Sequence, residues 1–218
     1  MKLENLERYR KLNEFKSAVA FWKKAPVNHT IILLNILIFI LVEITGSCED
    51  IRHMLRWGAA GTLDIAQDHE YYRLITAMFL HFSLQHLGNN MLVLLFIGDC
   101  LERNLGKVRY ALIYFLGGAG ANLLSVFHEV YVNEYVVSAG ASGGVFAAIG
   151  GLLYVVVRNK GHIENFTSRQ LLILAFLSLY HGLTSTGVNN MAHLGGLVLG
   201  FLFALLFYHR RKSSIPVR

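Results

Sequence analysis

The run GASGGVFAAIGGLLYVVV, residues 140–157, decides the fold of this chain. Apart from Ser142 and Tyr154 it consists of apolar and small residues, and as a helix it approaches the roughly 20 residues that cross a bilayer. Its glycine pairs, Gly143-Gly144 and Gly150-Gly151, allow another helix to approach its backbone closely. A polar side chain at membrane depth is unfavourable and usually marks function. The run therefore predicts a membrane-spanning helix that carries a functional serine.

The rest of the chain has the composition of a membrane protein. Of its 218 residues, 54% are hydrophobic and only 16% are charged, whereas about a quarter of a soluble domain is charged. The net charge is +6, but the basic residues flank apolar runs instead of forming one stripe, so we expect no nucleic-acid binding. Cys48 and Cys100 lie on opposite predicted sides, so no disulfide is expected. The polar first 29 residues predict no removable signal peptide.

Six apolar runs predict an all-α, polytopic bundle of six transmembrane helices. The runs are, to within several residues, 30–45, 86–105, 109–127, 142–157, 171–183 and 190–208. The predicted membrane domain, 30–208, follows an N-terminal segment, 1–29, and precedes a basic tail, 209–218. Its first loop, 46–82, is long, and Ile51, Met54 and Leu55 at helical spacing predict a short interfacial helix there.

Basic residues predict the orientation of these spans. Lys and Arg are concentrated in residues 2–24, 103–109, 158–169 and 210–218, which all fall on one side if the chain crosses six times. The connection 128–140 has no Lys or Arg. Because cytoplasmic loops are enriched in Lys and Arg, we expect a multi-pass protein of the cell membrane with both termini in the cytoplasm.

Ser142 and His193 are the candidate nucleophile and base. Ser142 would begin its helix on the extracytoplasmic side, where free N–H groups and the helix dipole stabilise a developing oxyanion. Gly140 and Gly143 leave its hydroxyl open to an incoming carbonyl. His193 lies about one turn into the sixth run from the same side, and a neutral imidazole can take the hydroxyl proton. No Asp or Glu lies at that depth, so we predict a dyad, with Phe146 fixing the imidazole by stacking.

Each of these two residues also has a purely structural interpretation. A serine at a helix start is more often an N-cap than a nucleophile. A histidine in a membrane helix often does no more than form a hydrogen bond with a neighbouring helix.

A second polar group lies near the start of the second run. His86 and Asn90 are four residues apart, so they share one helical face and could donate to an oxyanion. They could equally do no more than tie this helix to its neighbours. Asn89 points about 100° away, and His81 is better explained as a brace for the loop.

Ten histidines raise the question of a metal site. There is no His-Glu-x-x-His string, and the two cysteines are not spaced as ligands. The histidines in predicted loops or at span ends are interpreted as interfacial: His29, His53, His69, His128, His162, His181 and His209. We therefore expect neither a metal nor a cofactor.

Several short motifs, in order along residues 30–208, resemble those of the rhomboid family of intramembrane serine proteases. They are YR at 72–73, HFSLQH at 81–86 followed by Asn90, LERNLG at 101–106, GASG at 140–143, and AHLGG at 192–196 followed by Gly200. The resemblance implies a six-helix rhomboid-like bundle. It also implies hydrolysis of peptide bonds in or near transmembrane segments of other membrane proteins, through an acyl-enzyme.

The resemblance also implies roles for particular residues. It makes Ser142 the nucleophile, His193 the base, and His86, Asn90 and the Ser142 backbone N–H the oxyanion hole. There are two departures from the family pattern: Tyr72 stands in the place of a Trp, and Phe146 stands where a Tyr often stacks on the base.

Two other classes of function stay open at this stage. A catalytically inactive relative would bind transmembrane helices, although such relatives typically lack the serine or the histidine. A small transporter would use intramembrane His and Asn along a substrate path, but the six runs have no evident internal repeat. The substrate and the oligomeric state do not follow from the sequence.

Overall fold

The computed structural model describes residue 16, residues 20–184 and residues 187–208. Most of the N-terminal segment 1–29 and the whole basic tail 209–218 lie outside these residues. The described part is mainly helical, as the composition predicts.

The helix α1 (Pro26–Thr45) begins four residues before residue 30, the approximate start of the first predicted span. Pro26 suits the first helical position, where a backbone N–H is not needed. The Glu102 carboxylate accepts hydrogen bonds from the N–H groups of Val27 at 3.1 Å and Asn28 at 2.7 Å. This distant carboxylate satisfies two amides that the first turn leaves free.

The loop 46–82 contains short elements of its own. These are α2 (Ile51–Arg56), β1 (Ala60–Gly61), α3 (Thr62–Ala66) and α4 (Arg73–Thr76), followed by a 3₁₀ turn at Ala77–Phe79. The helix predicted from the spacing of Ile51, Met54 and Leu55 is confirmed as α2.

Two of the histidines interpreted as interfacial are buried within the protein. His29 lies inside α1 with 3% of its surface exposed, and His53 lies in α2 with 5% exposed. The ring of Phe21 stacks on His29 with centroids 4.2 Å apart. The His53 ring lies edge to face with Trp57, so an aromatic neighbour covers each imidazole.

The second predicted span is helical but interrupted. It consists of α5 (Leu84–Val93), a π-helical turn at Leu94–Gly98, and α6 (Asp99–Leu105). Asn28 donates a hydrogen bond from Nδ2 to the Leu94 carbonyl at 2.9 Å, and its Oδ1 accepts one from the Tyr110 hydroxyl at 2.6 Å. A buried amide from α1 thus supports the backbone where the regular hydrogen-bond ladder is broken.

The helix α7 (Lys107–Val132) continues five residues past residue 127, the approximate end of the third predicted span. The residue after it, Asn133, has φ +56°, in the left-handed conformation that commonly ends helices. The strand β2 (Val137–Ser138) then pairs antiparallel with β1, with Ala60 opposite Ser138. This pairing ties the first loop to the segment that leads into the next helix.

The remaining elements surround one central helix. They are α8 (Ser142–Arg158), the hairpin β3 (His162–Ile163) and β4 (Phe166–Thr167), α9 (Ser168–Thr184), and α10 (Asn190–Phe207). All positions 143–152 of α8 are buried, and α8 packs mainly against α7 and α10.

Among the described helices, α1, α7 and α10 are long and apolar enough to cross a membrane, and α8 is apolar but shorter. The count of six crossings stays a prediction.

Glycines allow the contact between α8 and α10. A Cβ at Gly196 would overlap the Gly143 carbonyl, and one at Gly200 would overlap the Ala147 backbone. Only hydrogen atoms fit between these backbones, which is the arrangement expected of small residues in membrane helices.

Candidate active site

Ser142 is the first residue of α8, and it is partly buried. Ala141 occupies the N-cap position, and no side chain caps this helix. The interpretation of Ser142 as an N-cap is therefore wrong. Within the described part of the chain, no hydrogen bond engages its hydroxyl, which stands beside the free N–H groups of the first turn.

His193 lies in the first turn of α10, where its ring stacks on Phe146. The two ring centroids are 4.3 Å apart and the planes are inclined by 12°. Phe146 is one turn after Ser142 on α8, so the stack holds the imidazole beside the turn that begins with the serine. Ser142 and His193 are not hydrogen-bonded to each other among the described residues, and His193 Nδ1 is buried without a partner.

His86 reaches the same place from α5. A Cβ at Gly140 would lie 2.7 Å from His86 Cε1 and 3.6 Å from Ser142 Oγ, so the imidazole and the hydroxyl flank the Gly140 Cα. Gly140 has φ +146°, a conformation that side chains rarely adopt. Both the backbone angle and the lack of space require glycine here, and they explain why the GASG motif begins with one.

Asn90 is buried, and its amide is engaged by His81. Asn90 Nδ2 lies 3.1 Å from His81 Nε2, and the Ala141 N–H donates to the same nitrogen at 3.4 Å. The rings of His81 and His86 meet edge to face with centroids 5.0 Å apart. His81 is therefore the brace that the sequence predicts. Asn89 is exposed and lies apart from this group, as expected.

Arg73 is buried within the long loop and holds separate parts of it together. Its Nη1 donates to the carbonyls of Leu55 at 2.7 Å and Ala59 at 2.9 Å, and its Nε donates to Glu70 at 2.5 Å. The hydrogen bond from Arg73 lowers the pKa of the Glu70 carboxyl below its ordinary value. Tyr72, which stands in the place of a Trp, is 55% exposed and covers little of the loop.

Cys48 is not a competing nucleophile. Both cysteines are buried and carry free thiols. Burial raises the pKa of the Cys48 thiol to about 12, so it is not a thiolate at neutral pH. The described residues also contain no group of three His, Cys, Asp or Glu side chains that could hold a metal ion.

The sequence analysis did not identify a polar cluster that lies between the end of α7 and the start of α10. Glu129 falls in the predicted connection 128–140, but it lies inside α7 and is 8% exposed. Its carboxylate accepts hydrogen bonds from Thr62 Oγ1 at 2.6 Å, Ser125 Oγ at 2.8 Å and Asn189 Nδ2 at 3.1 Å. An Asn directly before an apolar helix is a recognisable N-cap signal, and it could have identified Asn189.

The fold and these contacts define a class: a helical membrane protein with a serine, two histidines and an asparagine gathered at one end of its central helices. The chain matches the family model described as Rhomboid domain over residues 68–210. It belongs to the rhomboid family.

Three relatives illustrate the similarity. The chain is 33% identical over 181 residues to Rhomboid protease GluP of Bacillus subtilis. The matched stretch covers 83% of this chain and 34% of GluP. It is 30% identical over 201 residues to Rhomboid protease AarA of Providencia stuartii, with 82% and 71% covered. It is 34% identical over 156 residues to RHOMBOID-like protein 1 of Arabidopsis thaliana, with 71% and 39% covered. The chain thus spans little more than a third of the length of GluP and of the plant protein.

Proposed function

We propose that this protein is an intramembrane serine protease that hydrolyses peptide bonds in or near transmembrane segments of other membrane proteins. Ser142 is the nucleophile and His193 the base. The observation that carries the proposal is the stack of Phe146 on His193. It holds the imidazole beside the first turn of α8, which begins with Ser142 and has no side-chain cap. Membership of a family with relatives named proteases supports the same reaction.

The reaction begins when His193 takes the proton from the Ser142 hydroxyl as its oxygen attacks the substrate carbonyl. The carbonyl π electrons move to oxygen and form a tetrahedral oxyanion. Its collapse breaks the C–N bond, and the imidazolium gives its proton to the leaving amine. A water then repeats the sequence on the acyl-enzyme and releases the carboxylic acid.

The hydroxyl and the imidazole must approach each other when substrate binds. In structures without substrate, hydrogen bonds between catalytic groups are often long and tighten only in the complex. The stack on Phe146 holds the imidazole nearly parallel to the phenyl ring, so we expect the approach to occur within that plane.

The oxyanion would be held at the start of α8. The Ser142 backbone N–H belongs to the first turn, where it has no partner within the helix. His86 flanks Gly140 on the side of the Ser142 hydroxyl. Asn90 uses one N–H toward His81 and keeps a second one, so His81 sets the direction of the amide.

The membrane arrangement is part of the proposal: six spans, both termini cytoplasmic, and the site opening to the opposite face of the cell membrane. Single cysteines, introduced as Glu134→Cys or Lys160→Cys in a cysteine-free variant, test it with a membrane-impermeant maleimide in sealed vesicles. We expect the two positions to react from opposite sides. Labelling of both from the same side would contradict the six-span arrangement.

Cleavage of a tagged single-pass membrane protein by purified wild type, Ser142→Ala and His193→Ala tests the chemistry. Matched controls are Ser178→Ala in α9 and His128→Ala on the exposed face of α7. Product from the wild type and both controls, and from neither site variant, is the expected result. Equal cleavage by all five proteins would overturn the dyad, and binding of substrate without any cleavage would favour an inactive helix-binding protein.

A further inference from the structure

The polar cluster at the end of α7 connects four separate parts of the chain. Glu129 on α7 binds Thr62, the first residue of α3 in the long loop, at 2.6 Å. It also binds Asn189 at 3.1 Å, and Asn189 Nδ2 reaches Ser138 Oγ on β2 at 3.0 Å. No basic side chain pairs with Glu129 among the described residues. A buried carboxylate held only by hydrogen bonds from neutral groups is unusual enough to require a reason.

Asn189 links this cluster to the candidate base. It is the N-cap of α10, and its Oδ1 accepts a hydrogen bond from the Ala192 N–H at 3.0 Å. The His193 N–H donates to the Asn189 carbonyl at 3.2 Å. Asn189, which caps the turn of α10 that carries His193, is therefore the residue that Glu129 binds.

The hydrogen bonds of Asn189 define one orientation of its amide. Nδ2 donates toward Glu129 and Ser138, and Oδ1 accepts from the Ala192 N–H. If the amide were reversed, its NH₂ group would face the Ala192 N–H, and the cap would be lost. The acceptor on Glu129 therefore selects the amide orientation that caps the helix.

We propose that Glu129 is a positioning residue for His193, which acts by holding Asn189 in its capping orientation and so fixes the first turn of α10. This inference rests on the proposed protease function, because a base must be held within a fraction of an ångström to be effective. Glu129 does not touch His193 and takes no part in the chemistry itself.

Four variants separate this role from general stabilisation. Glu129→Ala removes the acceptor, and Glu129→Gln keeps an oxygen for Asn189 while its NH₂ group donates to Thr62. Asn189→Ser keeps an N-cap hydroxyl but is too short to reach Glu129. Combining Glu129→Ala with Asn189→Ser completes a double-mutant cycle. Glu134→Ala, in the exposed loop after α7, is the matched control.

We expect Glu129→Ala to lower kcat by about tenfold to 10²-fold with KM nearly unchanged, because only the alignment of the base is lost. Glu129→Gln should keep kcat within about threefold of the wild type, and Glu129→Ala should have little further effect in the Asn189→Ser background. A general loss of stability would be neither rescued by Gln nor cancelled by the change at Asn189. Wild-type kcat in Glu129→Ala, or the same loss in both backgrounds, would overturn the inference.

Hydrogen exchange separates this inference from the failure of the proposed function. Glu129→Ala should speed amide exchange in the peptide that covers residues 188–196 and leave the middle of α8 protected, whether or not the protein cleaves anything. If the wild type cleaves no substrate, the proposed function fails, and the exchange result alone decides whether Glu129 fixes the start of α10. Unchanged exchange there would overturn the inference.

Discussion

Gly200→Ala is the substitution whose effect follows most directly from the packing of α8 and α10. A Cβ at this position would overlap the Ala147 carbonyl oxygen and lie 2.5 Å from the Ala147 Cα and 2.6 Å from its carbonyl carbon. All three are backbone atoms, so no side-chain rotation can relieve the overlap. The two helices must separate by more than about 1 Å to restore ordinary van der Waals contact.

That separation has a stability effect and an activity effect. Forcing a methyl group into a close-packed contact destabilises a protein by about 1–3 kcal/mol. His193 is seven residues before Gly200, nearly two helical turns, so it lies on the same face of α10 and moves with it. A displacement of about 1 Å between reacting groups lowers a rate by about 10²-fold.

The assay combines thermal unfolding with the cleavage rate in proteoliposomes. Gly88→Ala is the matched control, because no atom lies within 4 Å of a Cβ built on this helical glycine. We expect Gly88→Ala to unfold at or above the wild-type midpoint, since Ala is favoured over Gly in a helix by up to about 1 kcal/mol. A Gly200→Ala protein with the wild-type midpoint and a cleavage rate within about twofold of the wild type would refute this reasoning.

Three further predictions concern separate parts of the molecule. Phe146→Ala should lower kcat by about tenfold, since an aromatic stack like that on His193 contributes about 0.5–1.5 kcal/mol. Phe146→Tyr should retain the rate, and equal rates for both variants in the cleavage assay would contradict this prediction. Tyr110→Phe leaves the buried Asn28 oxygen without its donor and should destabilise the fold by about 1–3 kcal/mol in thermal unfolding, and an unchanged midpoint would contradict it. In a variant whose only cysteine is Cys48, maleimide should label the unfolded protein but not the native one at neutral pH, because burial raises the thiol pKa to about 12. Rapid labelling of the native protein would contradict this prediction.

The features that could be predicted from the sequence are those set by residues close together in the chain. The starts of α8 at Ser142 and α10 at Asn190 coincide with the predicted ones, because each marks an abrupt change from a polar or glycine-containing loop to an apolar run. The short helix α2 follows in the same way from local spacing. Helical periodicity also indicates which side of α5 carries Asn90 and which carries Asn89.

The features that could not be predicted depend on partners far apart in the sequence. The early start of α1 requires the carboxylate of Glu102, which follows Asn28 by 74 residues. The late end of α7 keeps Glu129 helical because Thr62 and Asn189, 67 and 60 residues away, satisfy its carboxylate. An acidic residue at the end of an apolar run is ordinarily a sign that the span has finished, and no local signal indicates such distant donors.

The π-helical turn at Leu94–Gly98 sets the angular phase of the helix that contains it. A regular α-helix advances 100° per residue, and a π turn accommodates one additional residue in its circumference. Asn90, before the turn, faces His81, while Glu102, after it, faces the start of α1. Deleting one residue of this turn would leave a regular α-helix with both ends in their present phase, whereas inserting one more residue would rotate one end by about 100° relative to the other. This turn should therefore tolerate the loss of one residue, whereas an added residue should break either the contact of Asn90 with His81 or that of Glu102 with α1.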